Sequence, residues 1–182
     1  MKTISNYIEE LKKTLNNIDI SEIDTIAKAF NKARKNGNHI YVFGNGGSGS
    51  TASHMVCDFL KGSSYKKDDK FKILCLNDNI PTILAYSNDV SYDEVFVEQL
   101  KNYLKPNDLV IGISGSGNSK NIIKAIDYAN KNNGITIGFT GFDGGKLKKA
   151  SKYSINAMVN DMQISEDIHV ICMHILYKIF NN

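Results

Sequence analysis

Apolar side chains recur every three to four residues along the first part of the chain. This spacing puts them on one helical face and predicts helices over residues 3–17 and from Ser21 to about residue 36. Ser21 and Asp24 resemble a capping box at the start of the second helix, and Gly37 is suited to end it. We therefore expect residues 1–37 to form a helical pair.

The pattern changes after Gly37, where short β-rich runs alternate with helical patterns. The runs predict strands over residues 39–43, 71–76, 108–113, 135–140 and, more weakly, 153–159. The helical patterns cover residues 50–60, 92–104, 119–132 and 162–180, with a short turn near 145–150. Such alternation is typical of βαβ units, so we expect a parallel sheet covered by helices on both faces.

Two loops rich in Gly, Ser and Asn follow predicted strands. They read GNGGSGS over residues 44–50 and SGSGNS over residues 114–119, and each precedes a predicted helix. Small residues let backbone N–H groups approach an oxyanion, hydroxyls add donors, and a helix N-terminus favours negative charge. Ligands of such sheets bind at the carboxyl ends of the strands, so the two loops together predict a ligand that carries phosphate and hydroxyl groups.

The first loop also fits a dinucleotide fingerprint, G-x-G-x-x-G, through Gly44, Gly46 and Gly49. That fingerprint needs an acidic residue at the end of the second strand, about 20 residues further on. Asp68 and Asp69 come before that strand and Asp78 lies too far along, so a dinucleotide is the minor alternative. No Gly-Lys-Ser/Thr follows the glycines, which excludes the Walker pattern.

Composition narrows the class of protein further. The chain has 182 residues, of which 42% are apolar and 23% charged, as in a compact globular domain. A net charge of +3 from scattered lysines indicates a solvated surface, and we expect no direct nucleic-acid binding. The three cysteines form no C-x-x-C pair and are expected in the core. We expect a cytoplasmic protein without a membrane partner, because no apolar leader or membrane-length segment occurs.

Four segments of the chain resemble the sugar isomerase (SIS) domain family. They are FGNGGSGSTASH (43–54), AYSNDVSYDEVFVEQL (85–100), VIGISGSGNSKNIIKAI (110–126) and TIGFTGFDGGKL (136–147). More narrowly, they resemble the bacterial phosphoheptose isomerases, which convert sedoheptulose 7-phosphate to D-glycero-D-manno-heptose 7-phosphate. The resemblance implies an α/β three-layer sandwich with a five-stranded parallel sheet, doubly wound in the flavodoxin-like manner.

The resemblance also implies an organisation for the chain. Residues 1–182 would form a single SIS domain, with 38–182 as the α/β core and the N-terminal helices used in oligomerisation. The family assembles as a homotetramer with active sites between subunits.

Site residues follow from the same resemblance. The substrate-binding set is Asn45, Gly46, Gly47, Ser48, Asn88, Asp89, Ser114, Gly115, Ser116, Ser119 and Glu166. A zinc site would be formed by His54, Asp58, Glu166 and His174, with Asp58 as the catalytic base and His174 as the acid. From the residues alone, His54 and Asp58 are four apart on a predicted helix and share a face.

Two of these positions depart from the family. The family carries glutamate where Asp58 stands and glutamine where Glu166 stands. Two alternatives therefore stay open beside the heptose isomerase. One is a non-catalytic SIS module that binds phosphosugars or associates with replication initiators, and the other is an isomerase for a different sugar phosphate.

Overall fold

The computed structural model describes residues 2–181. The strands are β1 (His39–Gly44), β2 (Lys72–Cys75), β3 (Leu109–Ser114), β4 (Ile135–Thr140) and β5 (Tyr153–Asn156). The α-helices are α1 (Lys2–Asn16), α2 (Ile20–Asn36), α3 (Gly47–Cys57), α4 (Ile80–Asp89), α5 (Val97–Tyr103), α6 (Lys120–Lys131), α7 (Gly145–Ala150) and α8 (Met162–Asn181). A π-helical turn covers Asp58–Gly62, and a 3₁₀ turn covers Tyr92–Glu94.

All five strands are parallel and lie in the order β2-β1-β3-β4-β5. Every residue of β3 is buried, as expected for a strand covered on both faces. This order is the flavodoxin-like doubly wound one, so the predicted fold class is confirmed. The order reverses between β1 and β3, which opens a crevice at their carboxyl ends.

Two apolar cores hold the helices against the sheet. Helices α2, α3 and α8 pack on one face, where the aromatic rings of Phe30, Phe59, Phe71 and Phe180 meet with centroids 5.0–6.4 Å apart. Residues of α5 and α6 pack on the other face, where Phe96, just before α5, stacks on Phe43 of β1 at 4.9 Å. Burying such side chains stabilises each layer by about 2 kcal/mol per large apolar residue.

The start of α2 differs from the sequence prediction. Asp19 is the cap, since its Oδ1 accepts hydrogen bonds from the backbone N–H of Ser21 at 2.9 Å and from the Ser21 hydroxyl at 2.6 Å. The capping box of Ser21 and Asp24 was wrong, because an aspartate two residues earlier supplies the same acceptor. Gly37 does end α2, with a φ of 67°.

Helix α4 was not predicted, and the helix over 92–104 is broken. Asn79 caps α4 by accepting the backbone N–H of Thr82 at 3.3 Å. No residue of α4 is fully buried, and only Ile83 and Tyr86 pack, partly buried, against the core. Phe96 is buried between the 3₁₀ turn and α5, which separates the two helical pieces.

Helix α1 packs along α8, with the Tyr7 hydroxyl donating to Asp167 Oδ2 at 2.7 Å. That bond raises the pKa of Tyr7 to about 12.

Cys75 and Cys172 are buried as expected, whereas Cys57 is exposed because it ends α3 on the helix face turned from the sheet. No helix within residues 2–181 combines the length and apolar character needed to cross a membrane.

His169 is a buried polar side chain of α8. Its Nε2–H donates to the Thr140 carbonyl at 3.0 Å, its buried Nδ1 has no hydrogen-bond partner among residues 2–181, and the Phe139 ring packs against it. Burial lowers the pKa of His169 to about 4. His169 is therefore neutral at pH 7 and belongs to the core.

Acid should destabilise the fold through His169. An unfolded histidine binds a proton below about pH 6.5, but the folded one does so only below about 4, so unfolding takes up a proton between these values. Stability is fully present above pH 6.5 and falls by roughly 3 kcal/mol as the pH drops through this window. Urea unfolding at pH 7 and pH 5 should show a smaller difference for His169→Gln than for wild type. An equal difference in both proteins would contradict the assignment.

Candidate active site

A pocket of about 320 Å³ lies where the strand order reverses, between the loops that follow β1 and β3. Its lining residues are Asn45, Gly46, Gly47, Ser48, Ile113, Ser114, Gly115, Ser116, Ser119, Met162 and Glu166. The two loops singled out in the sequence therefore meet at one cavity. Ile113 and Met162 were not foreseen, since an apolar residue carries no sequence signal for lining a polar pocket.

The loop after β1, residues 44–50, is called the glycine loop, and Asn77, just after β2, holds it in place. Asn77 Oδ1 accepts the backbone N–H of Gly44 at 3.1 Å, and Asn77 Nδ2 donates to the Gly44 carbonyl at 2.8 Å. A dinucleotide fold would need an acid for the ribose at this end of β2. Because an amide holds the loop there instead, the structure disfavours the dinucleotide alternative.

The loop after β3, residues 114–119, is called the serine loop, and its groups suit an anion. Ser114 ends β3 and Ser119 is the N-cap of α6, with their hydroxyl oxygens 3.0 Å apart. The N-termini of α3 and α6 both begin at this pocket, and each contributes partial positive charge. Hydroxyls and helix N-termini on both sides give the pocket the donors that a phosphate group requires.

Glu166 of α8 lies against the glycine loop. A Cβ at Gly47 would come 2.5 Å from Glu166 Oε2, so a side chain there would collide with the carboxylate. The structure therefore brings Glu166 into the phosphate-type pocket. Asp167 and His169 take other directions, toward Tyr7 and toward Thr140.

Beyond the pocket, His54 and Asp58 meet His174 of α8. Asp58 Oδ2 lies 3.5 Å from His54 Nε2 and 3.7 Å from His174 Nε2, and the two imidazole rings are 5.1 Å apart. One ligand-type atom from each residue falls within 4.8 Å of the others. The Asp58 side chain is 25% exposed and the two histidines are about half exposed, so a ligand can reach all three.

A π-helical turn starts at Asp58 and fixes where that carboxylate lies. Such turns add one residue to a helical turn and often occur at functional sites. Gly62 ends the turn, and a Cβ there would lie 2.4 Å from the Tyr177 ring. Tyr177 is about one turn beyond His174 on α8, so the lack of a side chain at Gly62 leaves room for the Tyr177 ring beside the turn that carries Asp58.

The cluster of His54, Asp58 and His174 fits a zinc ion in the chemistry of its donors. A tetrahedral ion with ligands at about 2.1 Å holds their atoms about 3.4 Å apart, close to the two distances from Asp58. Three protein ligands with one open position are the arrangement of catalytic zinc sites. Glu166, predicted as a fourth ligand, lies against Gly47 and does not join the cluster of His54, Asp58 and His174.

Asn88 and Asp89 are not brought to the pocket. They end α4 on the surface, where the Asn88 amide donates to Asp89 Oδ1 at 2.7 Å. The neighbouring Tyr92 does reach the glycine loop, through a hydrogen bond from its hydroxyl to Asn45 Oδ1 at 2.8 Å. Tyr92 and Asn121 were missed in the sequence, because only the fold brings their segments beside Asn45.

A larger groove of about 920 Å³ lies elsewhere, on segments that lead into the amino ends of β1 and β2. Two of its cations are already engaged, Lys28 with Asp24 at 2.6 Å and Lys67 with the Phe180 carbonyl at 2.7 Å. None of the predicted site residues lines it. Ligands of doubly wound sheets bind at the opposite, carboxyl end, so the smaller pocket is the better candidate.

Known proteins agree with this fold. The chain superimposes on the phosphoheptose isomerase of Francisella tularensis with a TM-score of 0.91 and 24% identity, covering 99% of this chain and 95% of that one. For the enzyme of Neisseria gonorrhoeae the TM-score is 0.89 and the identity 23%, with the same coverage. At these identities the likeness shows the fold alone.

Comparisons of sequence show the family as well as the fold. The model of the SIS domain family matches residues 5–141. The chain is 38% identical to a probable phosphoheptose isomerase of Thermoplasma acidophilum, over 93% of each chain. It is 32% identical to the phosphoheptose isomerase of Aliarcobacter butzleri, over all of this chain and 91% of that one. The chain therefore belongs to the SIS domain family and, within it, to the phosphoheptose isomerase family.

Proposed function

We propose that this protein is an aldose–ketose isomerase that converts sedoheptulose 7-phosphate to D-glycero-D-manno-heptose 7-phosphate through an enediol. The observation that carries the proposal is that a phosphate-type pocket and an acid–base cluster share helices α3 and α8. Gly47 and His54 are seven residues apart on α3, and Glu166 and His174 are eight apart on α8. Each interval is a rise of about 10–12 Å, which suits a phosphorylated chain of several carbons better than a small anion.

In this mechanism the serine loop anchors the phosphate through Ser114, Ser116 and Ser119, and Asn45, Gly46, Gly47 and Ser48 contact the sugar. Asp58 takes the proton from the carbon next to the carbonyl, and the electron pair of that C–H bond forms the double bond of the enediol. As the enediol forms, the displaced π pair of the carbonyl takes a proton from water onto the carbonyl oxygen. His174 then gives a proton to the former carbonyl carbon, while the hydroxyl proton on the neighbouring carbon returns to water as the new carbonyl forms. Glu166 faces the sugar from α8.

We further propose zinc as the cofactor, held by His54, Asp58 and His174. When bound, zinc supplies Lewis-acid polarisation of the substrate oxygens. A shorter carboxylate at position 58 fits this role, because the π-helical turn sets Asp58 between both imidazoles.

The assembly that we propose is a homotetramer of single-domain chains, with sites completed between subunits. Large apolar side chains are exposed on α1 and α4 and next to them; they are Ile4, Ile8, Leu15, Ile20, Ile80, Leu84 and Val90. Exposed apolar surface of this kind marks association sites. Packing of α4 against another subunit would also give Asn88 and Asp89 a route to a neighbouring pocket.

Asp58→Asn tests the proposed base. The amide keeps the shape of the side chain but cannot take a proton, so turnover of sedoheptulose 7-phosphate should fall by roughly 10²–10⁴-fold. Asp127→Asn, an exposed position on α6, is the matched control and should keep full activity. Full activity of Asp58→Asn would remove Asp58 from the role, and a wild type without turnover, with or without added zinc, would contradict the isomerase.

Elemental analysis tests the metal. We expect about one zinc per chain in protein purified without chelator, and loss of most of it in His54→Ala and His174→Ala, because each removes one of three ligands. His39→Ala, a histidine stacked on Tyr41, should retain the metal. Equal zinc content in all four proteins would contradict the site.

Light scattering tests the assembly. The chain has a mass of 20.2 kDa, so a tetramer should scatter as a particle of about 80 kDa. Ile8→Glu and Leu84→Glu place a charge on the exposed apolar faces of α1 and α4 and should shift the protein to smaller species. A monomeric wild type would contradict the proposal.

A further inference from the structure

Asn45 belongs to a hydrogen-bonded network that reaches two other segments of the chain. Its Oδ1 accepts from the Tyr92 hydroxyl at 2.8 Å and from Asn121 Nδ2 at 3.0 Å. Its Nδ2 donates to Asn121 Oδ1 at 3.0 Å. We call these three residues the Asn45 network. They join the glycine loop, the 3₁₀ turn after α4 and the first turn of α6.

Counting donors and acceptors fixes what Asn45 can offer a ligand. An amide oxygen has two lone pairs and an amide nitrogen has two hydrogens. Both lone pairs of Asn45 Oδ1 are used within the network, and one hydrogen of Nδ2 is used by Asn121. One N–H remains for the pocket that Asn45 lines, so Asn45 can donate to a ligand but cannot accept from it.

The network also prevents the Asn45 amide from turning over. In the opposite orientation its nitrogen would face Asn121 Nδ2, and two donors would meet without an acceptor between them. Asn121 cannot turn in compensation, because its Oδ1 also accepts the backbone N–H of Ile122 at 2.9 Å and its side chain is buried.

Tyr92 is held in place by its own turn. Ser91 Oγ caps that turn by accepting the backbone N–H of Asp93 at 3.1 Å, and Glu94 forms an ion pair with Lys124 of α6. Phe96, two residues further on, is buried in the core. The Tyr92 ring is half exposed, yet its hydroxyl is directed at Asn45 by this framework.

We propose that Tyr92 and Asn121 are positioning residues, which hold Asn45 as a single hydrogen-bond donor and thereby select a substrate oxygen that accepts, a carbonyl or the lone pair of a hydroxyl. The inference rests on the proposed function, in which this pocket binds a sugar phosphate. The phosphate itself contacts the serine loop, so the network acts on the sugar part of the substrate and not on its anchor.

Tyr92→Phe tests the network by removing one hydroxyl from a half-exposed ring. We expect KM for sedoheptulose 7-phosphate to rise five- to tenfold with a smaller change in kcat, because one hydrogen bond that orients Asn45 is lost. Inhibition by inorganic phosphate should stay unchanged. Tyr103→Phe removes the hydroxyl of an exposed tyrosine that ends α5 and is the matched control.

Asn121→Asp is the second variant. The new carboxylate still accepts from Asn45 Nδ2, but its second oxygen faces Asn45 Oδ1 where Asn121 Nδ2 donated, so Asn45 loses a donor and is repelled from its position. We expect a larger rise in KM than for Tyr92→Phe, again with unchanged inhibition by inorganic phosphate. A melting temperature close to that of wild type would establish that this variant is folded.

The outcomes separate the network from the reaction. A KM within twofold of wild type for Tyr92→Phe would overturn the proposal, and so would equal weakening of sugar phosphate and inorganic phosphate. If wild type binds sedoheptulose 7-phosphate in calorimetry without turning it over, the isomerase fails, and the same variants then test the network by Kd. A wild type that binds no sugar phosphate would overturn both.

Discussion

The packing of α8 on α3 is the contact on which the site depends. Neither helix carries a complete set of functional groups, since α3 supplies the glycine loop and His54 while α8 supplies Glu166 and His174. Two glycines lie at this contact, Gly47 beneath the Glu166 carboxylate and Gly62 beneath the Tyr177 ring. Buried residues of α3 and α8 share one apolar core, so the packing of that core also sets the geometry of the site.

The sheet determines where that contact lies. The chain that follows β1 leads to β2 on one side of the sheet, and the chain that follows β3 leads to β4 on the other side. The loops after β1 and β3 therefore open into the same crevice. Helix N-termini then face the crevice from α3 and α6, with Ser119 at the start of one of them. A fold shared with many other proteins thus supplies a general anion pocket, and side chains of α8 supply what is particular to this chain.

Most of the fold could be predicted from the sequence because strands buried on both faces leave apolar runs, as in β3. The helix α4 was missed because its inward side is only the partly buried pair Ile83 and Tyr86, while Ile80 and Leu84 are exposed and blur the apolar pattern. The predicted start of α2 was wrong because Asp19 and Ser21 offer the same capping chemistry two residues apart.

In the site, the two loops could be recognised by their composition, and His54 with Asp58 by helical spacing. Tyr92 and Asn121 were not, because their contacts with Asn45 cross 47 and 76 residues of chain.

The π-helical turn at Asp58–Gly62 makes this segment of the chain sensitive to deletions. A π turn is an α-helical turn with one residue added, so deleting any residue within it would restore regular helix and rotate the following residues by about 100°. Phe59, which is fully buried, and Gly62, which must lack a side chain beneath Tyr177, would both leave their positions. A segment at the end of a helix commonly accepts insertions and deletions, but a deletion here would move a buried side chain and the turn that carries Asp58.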